Sequence, residues 1–191
     1  SQRIWLQKFI MRIISGKYKS IYIPNNKNIK ARPTTSTAKE ALFNILENRV
    51  LISELDVLDL FSGTGSIAFE FISRGAQSVV CVDKQANSVK FINLNAKKLS
   101  MNIKTIKANA WKFIEKTKEN SYDLIFADPP YNLENINQIP LLIFEKRILK
   151  KNGWLIMEHG KDVNFKETSN FIERRTYSSV NFSFFKLNSE K

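Results

Sequence analysis

Cysteine, histidine, glycine and proline are all scarce in this chain of 191 residues, which holds one Cys, one His, six Gly and five Pro. The lone cysteine, Cys81, sits in the apolar run Val79-Val80-Cys81-Val82. It excludes an intrachain disulfide and any cysteine-based metal site, and no metal is expected. No apolar stretch approaches the ~20 residues needed to cross a bilayer. The start is basic and partly apolar but lacks an apolar core with a small-residue cleavage site. These absences predict a cytoplasmic protein that does not enter membranes. Residues 1–10 precede a more regular pattern that begins at Met11, and are read as an upstream extension.

Acidic residues are also short, 18 against 30 Lys and Arg, for a formal charge of +12. That excess favours an anionic partner, nucleic acid first, although a general drift of composition toward Lys, Asn and Ile also raises it. The length fits one α/β domain with a small appendage, burying about 70% of its unfolded surface.

Arg12–Ser15 and Ser20–Ile23 flank Gly16 and predict a short hairpin ended by Pro24, since proline cannot donate to a ladder. A polar linker follows to Thr37, and Ala38, Leu42, Ile45 and Leu46 then recur at helical spacing, with Ser36 as candidate cap and Glu40 near the first turn. Residues 1–35 are therefore read as extension, hairpin and basic linker, and 36–191 as the main domain. From Asp56 onward short apolar runs alternate with helical patterns. Strands are predicted at Val57–Phe61, Ser78–Val82, Ile103–Ile106, Tyr122–Ala127 and Trp154–Met157. Helices are predicted at Ser66–Arg74, Asn87–Leu99, Trp111–Lys116 and Ile136–Leu149. This rhythm predicts a mostly parallel sheet covered on both faces. Ile172–Tyr177 and Val180–Leu187, joined by Ser178-Ser179, predict an antiparallel hairpin at one sheet edge, for seven strands in all.

Asp59-Leu60-Phe61-Ser62-Gly63-Thr64-Gly65 follows the first parallel strand and opens a helix. Such turns let backbone approach a nucleotide-like cofactor closely. Asp83, with Lys84 beside it, ends the next strand, where a carboxylate accepts hydrogen bonds from ribose hydroxyls. Asn109-Ala110 stand where adenine would be bracketed, or where a helix is simply capped. Because Gly63–Ala68 also satisfies G-x-G-x-x-A, the loop alone leaves NAD and S-adenosylmethionine both open; Asp59 fits the methyltransferase version.

Asp128-Pro129-Pro130-Tyr131 decides between them. It directly follows the apolar strand Leu124–Ala127 and joins a carboxylate, two rigid prolines and an aromatic face. An exocyclic base amine is a poor nucleophile, so a site must orient it. Asp128 can accept one amine N–H, the Pro129 carbonyl a second, and Tyr131 can stack on the base. The expected chemistry is methyl transfer to a nucleobase nitrogen. Lys17, Lys19, Lys27, Lys30 and Arg32 are the candidate RNA contacts, because they decorate an appendage. His159, Lys116–Lys118, Lys150-Lys151 and Arg174-Arg175 are read as solvated.

Four stretches resemble the RsmD-type family of small-subunit ribosomal RNA guanine-N2 methyltransferases. They are Met11–Gly16, Arg32–Thr35 leading into Glu40–Leu46, Asp59–Gly65 with Glu70 and Ser73–Ala76, and Asp128–Tyr131. The resemblance implies a Rossmann-like class I methyltransferase fold and S-adenosylmethionine as cofactor. It also implies a guanine N2 of 16S rRNA as acceptor, within an assembling small subunit; separately, a monomer is expected. Thr37-Ala38 and Ser66–Phe69 depart from the family pattern. Rival readings are an adenine-N6 methyltransferase of DNA or RNA, a dehydrogenase that leaves Asp128–Tyr131 without a role, and a non-catalytic RNA-binding module.

Overall fold

The computed structural model describes residues 10–24, 26, 28–30 and 34–187; Lys27, Arg32 and the extension before Ile10 lie outside them. A seven-stranded sheet is built from β3 (Asp56–Leu60), β4 (Ser78–Asp83), β5 (Ile103–Lys107), β6 (Tyr122–Ala127), β7 (Leu149–His159), β8 (Phe171–Tyr177) and β9 (Val180–Lys186). Their order across the sheet is β5-β4-β3-β6-β7-β9-β8. β3 to β7 pair in parallel, while β9 runs antiparallel to both β7 and β8. A separate hairpin pairs β1 (Ile10–Arg12) with β2 (Tyr22–Pro24). The helices among the described residues are α1 (Ser36–Glu47), α2 (Ser66–Ser73), α3 (Ala86–Lys98), α4 (Ala110–Lys116) and α5 (Gln138–Glu145). None is long and apolar enough to cross a membrane.

The central strands are apolar on both sides, as a doubly covered sheet requires. Alternation along β3 sends Val57 into one core with Leu42, Phe43, Phe69 and Phe71, and Leu58 and Leu60 into the other with Ile114, Ile139 and Ile143. Strand order reverses between β3 and β6, so the fold has its switch point there, beyond the carboxyl ends of those strands.

The hairpin is fastened to α2 by polar groups. Gly16 lies so close to the end of α2 that a Cβ would sit 1.9 Å from the Ser73 carbonyl oxygen. Its φ of +85° is also one that glycine alone adopts cheaply. The fully buried Glu70 accepts the N–H groups of Ile14 at 2.9 Å and Ser15 at 3.0 Å, and pairs with Arg74 at 2.9 Å and Lys39 at 3.5 Å. Lys39 Nζ in turn donates to the Arg12 carbonyl and to Ser66 Oγ at the start of α2.

Sequence and structure differ at several ends. Thr35, not Ser36, caps α1, accepting the Ala38 N–H at 3.2 Å. The expected helix to Leu149 stops at Glu145. Arg147 turns left-handed at φ 53°, and Leu149 pairs with Tyr122 to begin a longer β7. Pro24 is the last residue of β2, opposite Ile10.

Candidate active site

At the switch point the turns after β3, β4 and β6 converge on a cavity of about 300 Å³, at the small end of ligand sites. Asp59, Phe61, Ser62, Gly63, Thr64, Asp83, Lys84, Asn109, Ala110, Asp128, Pro129 and Pro130 all line it. Gly65 and Tyr131 are not among the lining residues. The Asp128 N–H donates to the Leu60 carbonyl at 3.3 Å, which fixes the two motif-bearing turns side by side.

The first turn passes through left-handed backbone at Phe61 (φ 59°), Gly63 (55°) and Gly65 (76°). For Phe61 that conformation costs roughly 1–2 kcal/mol. Surrounding bonds hold it: Ser62 Oγ donates to the Asp59 carbonyl at 2.7 Å, and the Gly65 N–H to the Ser62 carbonyl at 2.8 Å. Gly65 is small for a reason internal to the protein, since a Cβ there would lie 2.8 Å from Ile92 Cγ1. Asp83 braces the same turn, accepting the Gly63 N–H at 2.9 Å and the Gln85 N–H at 2.8 Å. A carboxylate offers about four acceptor sites, so capacity for two further donors remains. Asn109 is the N-cap of α4, its Oδ1 accepting the Lys112 N–H at 3.2 Å.

Asp59 is the electrostatic centre. It shares Val57's face of β3, is 2% exposed, and its Oδ2 is buried without a hydrogen-bond partner. Burial pushes its carboxyl well above the ordinary range, and the charges of Asp83 and Glu158 add to that, against the Ala68 N–H. Glu158, at the end of β7, is likewise 2% exposed and accepts the Thr34 hydroxyl at 2.8 Å. An unpartnered buried carboxylate oxygen among further acids fits a cationic ligand, such as the sulfonium and ammonium of S-adenosylmethionine.

Of the expected RNA contacts, Lys30 lines the cavity. Lys17 and Lys19 are exposed on the hairpin turn beside the far end of α2, whose eight residues span about 12 Å. Tyr131 is half-buried, its ring 3.2 Å from where a Cβ on Gly160 would stand.

His159 departs from its solvated reading, whereas Lys150, Arg174 and Arg175 keep their access to solvent and are paired as well. His159 is fully buried, with Nδ1 donating to the Gly160 carbonyl at 2.8 Å and Nε2 accepting from Ser183 Oγ at 2.7 Å. It meets Phe165 edge-on at 5.1 Å, and burial holds its pKa below the usual imidazole range. Lys150 bridges Asp56 at 2.8 Å and Asp123 at 3.0 Å. Arg174 grips the Asn181 side chain and Arg175 pairs with Glu173. Glu158 and Lys39 escaped the sequence reading. The available signal for Glu158 was the apolar run Trp154–Met157 leading directly into a carboxylate at the carboxyl end of its strand.

The family described as conserved hypothetical protein 95 matches residues 11–186. Ribosomal RNA small subunit methyltransferase D of Buchnera aphidicola subsp. Baizongia pistaciae is 38% identical over 157 residues, 81% of this chain and 78% of that protein. A solved structure, putative methyltransferase yhhF from Escherichia coli, aligns with a TM-score of 0.81 at 22% identity, covering 95% of this chain and 99% of that one. Thermus thermophilus 16S rRNA N2 G1207 methyltransferase, solved with AdoMet and guanosine, aligns with a TM-score of 0.70 at 16% identity, over 93% and 49% of the two chains. These likenesses in structure show the methyltransferase fold. By its matched span and its identity to such relatives, this chain belongs to the conserved hypothetical protein 95 family, that of the small-subunit ribosomal RNA methyltransferases D.

Proposed function

We propose that this protein methylates the exocyclic N2 of a guanine in 16S rRNA, using S-adenosylmethionine, in the cytoplasm and on an assembling small subunit. The observation that carries the reading is the shared cavity: the Asp59–Gly65 turn and the Asp128–Pro130 turn line it together, tied through Asp128 and Leu60. When bound, S-adenosylmethionine supplies an electrophilic methyl on a cationic sulfur. Asp59 and Glu158 contribute negative field toward that cation, and the free acceptor capacity of Asp83 suits ribose hydroxyls. Asn109, Ala110 and the neighbouring Lys84 border the adenine end.

Asp128 accepts one N–H of the base amine and the Pro129 carbonyl the other, localising the nitrogen lone pair and aiming it into the cavity. The amine becomes cationic on methylation and sheds a proton readily, so Asp128 acts first by orientation and then as acceptor. Pro129 and Pro130 keep these acceptors rigid. The ring of Tyr131, packed beside Gly160, offers a face on which the base stacks, for a gain of roughly 1–3 kcal/mol. The base must first be unstacked from the RNA. Lys30 at the cavity, with Lys17, Lys19, Lys27 and Arg32, supplies phosphate contacts from residues 1–35, the appendage to the catalytic domain of residues 36–191.

The test incubates the protein and labelled S-adenosylmethionine with unmodified small subunits and identifies the methylated nucleoside. N2-methylguanosine is expected, and Asp128→Ala should cut incorporation by at least about 100-fold with an unchanged melting temperature. N6-methyladenosine as product, or full activity in Asp128→Ala, refutes the reading.

A further inference from the structure

Between Asp83 and Glu115 the chain carries seven lysines, at 84, 90, 97, 98, 104, 107 and 112, and no acidic residue. That segment is thus one of two strongly basic stretches of the chain, the other being residues 1–35, which also lack acidic residues. The fold gathers it at one side of the molecule. β5 is the outermost strand at one end of the sheet, α3 leads into it and α4 follows it. All seven lysines are exposed, and none forms an ion pair with a described residue.

Their distribution along the fold has direction. Lys84 lines the catalytic cavity, Lys107 is in register with Asp83 at the carboxyl end of the sheet, and Lys112 lies in the first turn of α4 beside Asn109. From that mouth α3 leads away with Asn87, Lys90, Leu94, Lys97 and Lys98 on its exposed side, while Ser88, Phe91, Ile92 and Ala96 face the core. A helix of 13 residues covers about 20 Å, enough to follow several successive phosphates.

Lysines on an edge strand also deter pairing with another chain. That accounts for Lys104 and Lys107, and Lys84 borders the adenine end of the cavity, which leaves the α3 row and Lys112 unexplained. We infer that the α3–β5 edge is a second RNA-docking surface, holding the backbone of the strand that flanks the target nucleotide while the hairpin side holds the other flank. The inference rests on the proposed RNA substrate and adds to it a surface at the β5 edge of the sheet, built from elements other than the N-terminal hairpin.

The experiment compares the wild type with a Lys90→Gln/Lys97→Gln/Lys98→Gln variant and with a control, Arg147→Gln/Lys151→Gln/Lys166→Gln, drawn from exposed basic residues off this edge. Affinity for unmodified small-subunit rRNA is measured against salt, with S-adenosylhomocysteine affinity and melting temperature as checks on the fold. Each lost phosphate contact on a single strand lowers the slope of log K against log salt by about 0.7, so the α3 variant should lose roughly 2. Its KM for RNA should rise, and both checks should match the wild type. The control should keep the wild-type slope. A wild-type slope in the α3 variant, or an equal loss in the control, overturns the inference. If the wild type methylates rRNA while the α3 variant matches it at every salt, this surface alone falls. If the wild type neither binds nor methylates rRNA, the substrate reading falls with it.

Discussion

Replacing Glu70 with Gln should unfasten the N-terminal hairpin, and the size of the loss follows from what Glu70 holds. Its carboxylate is fully buried and meets two peptide N–H groups, the Arg74 guanidinium and the Lys39 ammonium. Glutamine keeps the volume but turns an amide NH2 toward groups that can only donate. It also leaves Lys39, itself 2% exposed, with no counter-charge within ion-pair reach among the described residues. Removing one partner of a buried pair costs about 3–5 kcal/mol. At about 2–4 °C per kcal/mol for a chain of this size, the melting temperature should fall by roughly 6–20 °C. Differential scanning calorimetry at pH 7 reads this directly. A double variant with Lys39→Met should be less destabilised than the sum of the singles, because it removes the stranded charge. The pH dependence has a definite sign. Burial lowers the Lys39 pKa despite Glu70, so between the folded value and 10.5 the unfolded chain holds more protons and this group makes stability rise with pH. In Glu70→Gln that window should open at lower pH. A loss below about 1 kcal/mol, or strictly additive double-variant energies, would refute the argument that charge pairing holds the hairpin.

Asp59→Asn should stabilise the ligand-free protein by about 1–3 kcal/mol, since it removes an unpartnered buried carboxylate, and weaken S-adenosylmethionine binding at least about tenfold. In the wild type a cationic ligand favours ionised Asp59, so affinity measured by calorimetry should climb with pH through its raised pKa; a wild-type pH profile in Asp59→Asn sinks this idea. Gly65→Ala combines a left-handed backbone with a contact on Ile92 and should cost about 1–3 kcal/mol. Ile92→Ala removes the Cγ1 that the new Cβ would meet, so the double variant should be less destabilised than the sum of the two singles, and strict additivity in thermal melts would place the strain elsewhere. Lys150→Met should move acid unfolding to higher pH. The Asp56 pKa is lowered first by its hydrogen bond from Lys150 and then by Ser78, so the stability it adds is present above 3.8 and lost as pH falls through the folded value. Both partners are largely solvated, which keeps the effect within about 1 kcal/mol; circular dichroism titration checks the direction.

Local pattern carried the architecture because each central strand is a continuous apolar run and each turn at the cavity has its own backbone chemistry. Tyr122–Ala127 matches β6 at both ends, and the Asp59–Gly65 turn lies where a first parallel strand meets a helix. Elements whose ends depend on distant partners were not legible. β7 starts at Leu149 because that residue pairs with Tyr122, and the residues between look helical by spacing alone. Glu70 and Glu158 reach partners 56 and 124 positions away. In sequence they are carboxylates that a helix surface or a strand end would solvate. His159 has the same history: apart from the adjacent Gly160, its partners Ser183 and Phe165 come from segments that pattern does not bring together.

Seen as a whole, the charge distribution answers two ligands of opposite sign. A cationic cofactor and a polyanionic RNA demand opposite potentials a few ångströms apart, and a uniformly basic protein would repel the first while attracting the second. The fold separates the two demands by depth. Asp59, Asp83 and Glu158 are buried at 2%, 8% and 2% exposure around the cavity, where low dielectric keeps their field strong over short range. The lysines stand in solvent, where salt confines their field to about 8–10 Å and only a ligand lying along the surface gathers many of them. Cofactor affinity should therefore depend weakly on ionic strength and RNA affinity steeply. Net charge alone, spread without regard to depth, would make both depend on salt, with opposite signs.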